Sequence, residues 1–357
     1  VEQDDITGRK ADHLRLAIDT DVEAPLGGGG AFDAIRLVHR ALPGIDRADV
    51  DPTVDFLGKR LAFPLMVGSM TGGTDEAGTI NRRLAEACAR VGVGMFLGSQ
   101  RVMLERPETA PTFRIREVAP AIPLVANIGA VQLNYGVTAA HIGHLVESVG
   151  ADGVVFHVNA AQEAVQPEGD TDFSGLVDGM AGVVDALGPI PVGVKEVGAG
   201  FDIETVRALT RVPFAFIESA GRGGTSWTLI EGKRAPADAS RRLGALFADW
   251  GIPTVTSLLT CVRYGGGVPV IASGGLRTGL DGARAVAAGA SLTAMALPLL
   301  RAAARSVEDA VCELELFRDA FCTAMFLVGA RTVEDLRRAR VRIDPAALPE
   351  AYEGLDA

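Results

Sequence analysis

The chain has 357 residues, 48% hydrophobic and 22% charged, enough to bury one large α/β core or two smaller ones. Its 34 Lys and Arg against 45 Asp and Glu leave a net charge of −11, an acidic field that excludes nonspecific binding to nucleic acid or to an anionic membrane surface but leaves room for a local phosphate site. Four scattered cysteines, Cys88, Cys261, Cys312 and Cys322, make no CxxC pair, so no zinc site and a reducing, cytoplasmic setting are expected.

The N-terminal "VEQDDITGRKADH" is acidic and polar, unlike a secretory signal. Within it "GRKADH" sets Arg9, Lys10 and His13 close together, either as solvated surface or as a clamp for a diphosphate. Residues 1–60, with the flexible "PLGGGG", read as an extension that folds over the body of the protein; His39 in "HRALP" has no obvious partner. Eight apolar runs come next: "PLMVGSM" (64–70), "VGMFLGS" (93–99), "PLVANIG" (123–129), "GVVFHVN" (153–159), "PVGVKEV" (191–197), "PFAFIES" (213–219), "PVIASGG" (269–275) and "LTAMALP" (292–298). Runs without alternation suit parallel strands buried on both faces. Helical patterns such as "EAGTINRRLAEACARV", "TAAHIGHLVESVG" and "SVEDAVCELELFRDAF" separate them, with His141 and His144 on an outer helix and Cys312 and Cys322 expected in the core. Eight such units predict a (β/α)8 TIM barrel over residues 61–345, an N-terminal extension over 1–60 and a tail over 346–357. The most apolar window, "AVAAGASLTAMALPLL", is broken by Gly289, Ser291, Thr293 and Pro298, so it reads as barrel wall rather than membrane span.

Barrel active sites gather at the C-terminal strand ends. Those ends supply Ser69, Met70 and Thr71, then Ser99, Gln100 and Arg101, then Asn127, His157 and Asn159. Lys195, Thr225, Gly274, Gly275 and Arg277, with Ala296 and Leu297, complete the rim. Loop insertions at this face are expected at "QPEGDTDF" and at about 225–250, as lids. "IASGGLRTG" offers the backbone of Gly274 and Gly275, the following helix N-terminus and Arg277 to a phosphate, with "AMALP" beside it. Lys195, Asn127 and Thr71 suit a flat polar ring such as flavin mononucleotide, a Schiff-base lysine being the competing reading of Lys195. "NAAQE" supplies Asn159, Gln162 and Glu163, of which Glu163 suits Mg2+ shared with substrate phosphate, or else caps a helix. "GGTSWTLIE" adds Trp227, an anchor for its loop or a shield for a carbocation, and Glu231.

In order and spacing these motifs, with "FLGKRLAFPLMVGSMTGG", "GSQR", "ANIGA", "HVNAAQEAVQPEGD" and "VKEVGAG", resemble the type 2 isopentenyl-diphosphate isomerases over about residues 8–300. The resemblance implies diphosphate binding by Arg9 and Lys10 near His13, and substrate contacts by Ser99, Gln100, Arg101, Asn159 and Gln162. It implies flavin contacts by Ser69, Met70, Thr71, Ser99, Asn127, Lys195 and Thr225, and a phosphate grip at Gly274, Gly275, Arg277, Ala296 and Leu297. Glu163 matches the Mg2+ ligand, while Gln162, His157, Trp227 and Glu231 match the reacting end. The reaction implied is a 1,3-proton shift between isopentenyl and dimethylallyl diphosphate in isoprenoid biosynthesis. Reduced flavin acts as the acid/base catalyst, primed by NADPH or another reductant, in a cytoplasmic tetramer or octamer. Phe201, Asp202, Glu218 and Arg222 depart from the family pattern and leave open a different prenyl diphosphate, while Ala296, where Gly is frequent, should still allow a backbone contact. A hydroxy-acid oxidase on the same barrel and a non-catalytic diphosphate sensor are the rival readings.

Overall fold

In the computed structural model, which describes residues 6–25 and 30–354, eight parallel strands close into a barrel. Residues 26–29 of the glycine-rich stretch and both chain ends, 1–5 and 355–357, lie outside the described residues. The strands are β1 (Leu65–Val67), β2 (Gly94–Phe96), β3 (Leu124–Gly129), β4 (Gly153–Val158), β5 (Val192–Glu196), β6 (Phe216–Glu218), β7 (Val270–Ala272) and β8 (Leu292–Met295). Each pairs with the next in sequence, and β8 returns to β1 through Thr293↔Leu65. Every one falls inside an apolar run that the sequence marks as a strand.

Alternation along each strand sorts its side chains into two sets. One set joins the helices in the outer core; the other fills the barrel. Phe56, Leu61, Met66, Phe96, Val125, Val155, Phe216, Ile271, Leu292 and Ala294 form that interior plug, two of them supplied by a hairpin, Val54–Phe56 with Lys59–Leu61, which stops the N-terminal end. Gly193 makes room for the plug: a Cβ there would lie 2.3 Å from the Phe216 ring. Gly193→Val is therefore expected to cost about 1–3 kcal/mol by overpacking, read as a fall in the calorimetric unfolding midpoint.

The extension embraces the barrel at both ends. Ile35–Leu37 pairs antiparallel with Val341–Ile343, while the helix Ile6–Asp19 lies across the C-terminal mouth against the helices Trp227–Arg234 and Leu297–Arg305. Arg301 fixes its end by donating to the carbonyls of Ala17 (3.1 Å) and Thr20 (2.8 Å). The insertion after β6 is not a loop: Trp227–Arg234 and Asp238–Leu246 are helices that meet where Gly232 faces Gly244, their backbones too close for a Cβ.

Cys88 and Cys261 are buried, but Cys312 is exposed and Cys322 half-buried, which corrects the expectation that both of the latter lie in the core. The buried face of Val307–Val328 runs through Ala310, Leu314, Phe317, Phe321, Ala324, Met325 and Val328, and neither cysteine lies on that stripe. His39, His141 and His144 are exposed, and His141 completes the capping box of its helix with Thr138. No helix among the described residues is long and apolar enough to cross a membrane.

Candidate active site

Two residues beyond the plug, the same alternation delivers a second inward ring: Gly68, Gly98, Asn127, His157, Lys195, Glu218, Ser273 and Ala296, one from each strand or strand end. All eight line one cavity, roofed by Ile6, Arg9, Lys10, His13, Leu14 and Ala17 of the N-terminal helix.

One group of lining residues is the set that the flavin reading names. Ser69, Met70, Thr71, Ser99, Asn127, Lys195 and Thr225 line the cavity, and the buried Ser69 Oγ has no hydrogen-bond partner. Lys195, 6% exposed, donates to Glu196 O (2.7 Å) and stands 3.7 Å from Glu218 Oε1. Glu196 itself turns away from the ring and accepts from the amides of Gly198 (2.6 Å) and Gly200 (2.8 Å). Gly274 and Gly275, at φ of +90° and +86°, run against the β6 loop so tightly that a Cβ on Gly275 would sit 1.9 Å from Gly223 O. Only glycine fits there, and the backbone is thereby exposed to the cavity. The helix Gly279–Ala287 carries a capping box, Asp281 Oδ2 accepting from Thr278 N (3.0 Å) and Thr278 Oγ1 from Asp281 N (3.2 Å), which satisfies two of its terminal amides. The open terminus belongs to Leu297–Arg305, which starts at Ala296 without a side-chain cap. Arg277 lines the cavity too and is paired with Glu23 at 2.9 Å. These donors fit flavin mononucleotide: Lys195 would serve its ring, and Gly274, Gly275, Ala296, Leu297 and Arg277 its phosphate.

A second group forms a charged network. Gln162 Nε2 donates to Glu231 Oε1 (2.7 Å), and its Oε1 accepts from Asn159 Nδ2 (3.2 Å). His13 Nε2 lies 3.0 Å from the same Glu231 oxygen, and the His13 ring meets Trp227 edge to face at 5.4 Å. Arg234 Nε donates to Glu231 Oε2 (3.1 Å) and also pairs with Glu168, which in turn reaches Arg9 at 3.8 Å. Burial alone would raise the Glu231 pKa; the hydrogen bond and charge of His13, the Gln162 amide and Arg234 outweigh it and hold the carboxyl down to about 2. Lys10 Nζ donates to Ser99 O (2.9 Å) over the Phe113 ring, and burial, then Arg9, lowers its pKa to about 7. An anion bound beside it would favour the charged form again.

Glu163 sits behind Asn159, which donates to its Oε1 (2.7 Å), while Asp170 N donates to its Oε2 (2.8 Å). Burial, then the Asp170 charge, raises its pKa despite those bonds. Asn159 Oδ1 is buried and unpartnered. Among the described residues no group of three or more His, Cys, Asp or Glu is placed to hold a metal ion; the Glu163 carboxylate is the oxygen donor that would share a Mg2+ with a substrate diphosphate. His157 Nδ1 is 2.8 Å from Asn127 Oδ1. Because the Asn127 amide nitrogen donates to Leu97 O (3.1 Å), His157 carries its proton on Nδ1 and leaves Nε2 as an acceptor. Burial, then Lys195 and Lys10, lowers its pKa to about 3, so the ring is neutral at working pH.

Gln100 is a correction. It is fully buried outside the cavity wall, donating to Met103 Sδ (3.3 Å) and accepting from Asn127 N (3.0 Å), so it props β3 instead of facing a substrate. Ser99 and Arg101 do line the cavity, Arg101 held by Glu105 (2.7 Å) and Asp170. Of the departures, Asp202 caps Ile203–Leu209 by accepting from Thr205 N (2.8 Å), Phe201 is buried core, and Arg222 pairs with Asp249. None of these three lines the cavity, whereas Glu218 and Ala296 do. Sequence reasoning missed Gln166, Glu168, Asp170, Ser273 and Arg234. Ser273 was legible by counting two residues beyond the plug residue Ile271, and Arg234 by the i, i+3 spacing from Glu231.

Arg234→Met removes one charge holding Glu231 ionised. A carboxyl whose folded pKa lies below its ordinary 4.5 adds stability that is present above that value and lost as pH falls toward about 2. The variant is expected to lose roughly 1–2 kcal/mol of that linkage and to unfold at higher pH in an acid titration followed by circular dichroism, with Arg234→Lys restoring part of it.

A model of the FMN-dependent dehydrogenase family matches residues 245–343, the stretch that holds β7 and β8. The isopentenyl-diphosphate delta-isomerase of Rickettsia akari is 42% identical over 335 residues, covering 94% of this chain and 97% of that protein. That of Synechococcus sp. is 47% identical over 322 residues, covering 88% and 91%. Among solved structures, mandelate oxidase with (S)-2-phenylpropionate aligns at a TM-score of 0.63 and 20% identity, covering 95% of this chain and 97% of its own. The oxidase shares the barrel with little sequence in common, whereas identities of 42% and 47% along nearly the whole length require more than a shared fold, and the chain belongs to the type 2 isopentenyl-diphosphate delta-isomerase family.

Proposed function

We propose that the protein interconverts isopentenyl diphosphate and dimethylallyl diphosphate by a 1,3-proton shift in isoprenoid biosynthesis. The observation that carries this is one cavity whose lining joins the residues suited to flavin with Arg9, Lys10, His13 and Gln162, the last two backed by the buried carboxylate of Glu231, which Arg234 also holds ionised. Protonating an unactivated alkene passes through a high-energy tertiary cation, and bound reduced flavin supplies the proton-transfer chemistry that side chains in water lack. Arg9 and Lys10, with His13 near, grip the diphosphate, and Glu163 shares a Mg2+ with it. Glu231 places a negative charge, and Trp227 a ring face, beside the developing cation. The N-terminal helix excludes water from it. Gln162, tied at both amide ends, positions the hydrocarbon.

NADPH or another reductant primes the flavin without being consumed per turnover. A cytoplasmic homo-oligomer, tetramer or octamer, completes the proposal: all four cysteines are free, and Leu246 (80% exposed) and Trp250 (61%) give the insertion apolar surface for self-association. Sedimentation velocity tests the assembly.

The chemistry is tested by incubating the protein with FMN, Mg2+, dithionite and isopentenyl diphosphate and following labelled carbon by NMR. Dimethylallyl diphosphate formed only with reduced flavin is expected. Flavin bound without product would transfer the proposal to another prenyl diphosphate.

A further inference from the structure

Glu218 ends β6 in register with Lys195 on β5 and lines the cavity. It is 3% exposed. Its Oε1 is engaged, accepting from Ser273 Oγ at 2.8 Å and lying 3.7 Å from Lys195 Nζ. Its Oε2 is buried and has no hydrogen-bond partner. A carboxylate oxygen left unpaired in a low-dielectric site is costly, and no neighbour donates to it: Ser273 spends its hydroxyl on Oε1, and Lys195 donates to Glu196 O at 2.7 Å and stands 3.7 Å from Oε1. Because Glu218 lines the cavity, a ligand held there can supply the donor.

We propose that Glu218 is a cofactor-contacting residue: its free Oε2 accepts a hydrogen bond from an N–H or ribityl O–H of bound flavin mononucleotide, and its charge, opposed to that of Lys195, weakens the hold on the anionic reduced flavin relative to the oxidised one. This rests on the flavin reading of the cavity. Lys195 alone would favour the reduced anion strongly; Glu218 moderates that preference while anchoring the ligand in one orientation.

The test is flavin binding, independent of turnover. Apo-protein is titrated with FMN, oxidised and then dithionite-reduced under argon, by fluorescence and absorbance. Glu218→Gln keeps the size and removes the charge. It is expected to shift the ratio of reduced to oxidised dissociation constants about tenfold toward the reduced form, which raises the two-electron midpoint potential by about 30 mV. Glu218→Asp keeps the charge and shortens the reach; oxidised FMN is expected to bind about tenfold more weakly with a smaller change in the ratio. Thermal unfolding of each apo-variant verifies the fold, and if the Gln variant does not fold, the Asp variant carries the test. Both constants within twofold of wild type in the folded variants would overturn the proposal. Wild-type protein that takes up no FMN in either oxidation state would overturn the flavin reading itself, before any variant is compared.

Discussion

Gln162→Ala is expected to lower kcat for isomerisation by roughly 10²–10⁴-fold, the range for removing a positioned group from a proton transfer, while FMN still binds with wild-type affinity. The separation follows from geometry. Gln162 is held from both sides, by Glu231 at 2.7 Å and Asn159 at 3.2 Å, within the charged network. The residues proposed to hold flavin come from β1–β3 and β5–β8 and the loops after them, whereas Gln162 follows β4. Truncation removes the amide that separates the Glu231 carboxylate from the substrate and leaves Glu231 short of one donor. Gln162→Glu is the sharper variant. It retains the shape but sets a second carboxylate against Glu231, so one of the pair must take up a proton; its activity is expected to fall as far as that of the Ala variant. Full activity in both would mean that the reacting end of the substrate lies elsewhere in the cavity.

The barrel was legible because eight apolar runs, separated by helical patterns, have few other solutions. The rim was legible too, since "SMTGG", "HVNAAQE" and "IASGGLRTG" end those runs. What escaped was which of two adjacent rim residues faces inward. Gln100 and Ser99 are neighbours of similar polarity, yet only Ser99 lines the cavity. The parity of Phe96 and Gly98 would turn Gln100 inward, but β2 ends at Phe96 and the helix Arg101–Glu105 begins directly after Gln100, so alternation does not carry that far. Reading the runs as unalternating hid that parity: both faces are apolar near the plug, and chemistry distinguishes them only two residues later. The insertion after β6 reads as a loop and is helical instead, with Gly232 and Gly244 at the close crossing of its two helices. The network behind Glu231 joins residues far apart in sequence, Arg9, Glu168 and Arg234, and no local pattern announces such a meeting.

Glu163→Gln is expected to raise the Mg2+ concentration for half-maximal activity by about 100-fold while the bound-flavin spectrum stays unchanged. Glu163 is nearly buried at 8% exposure, and both of its oxygens already accept a hydrogen bond. Its raised pKa records what that burial costs a carboxylate without a cation. A divalent ion reverses the sign: it favours the ionised form, releases the proton and uses the remaining lone pairs. The affinity should therefore weaken as pH falls toward the raised Glu163 pKa, because proton and metal compete for the same oxygens. The amide of the variant is neutral at every pH, so that slope should disappear along with the affinity. The unpartnered Asn159 Oδ1 beside it offers an acceptor to a metal-bound water, which keeps the octahedral shell that Mg2+ demands. Activation by Mg2+ at the wild-type concentration and with the wild-type pH slope in Glu163→Gln would show that the ion rides on the diphosphate alone.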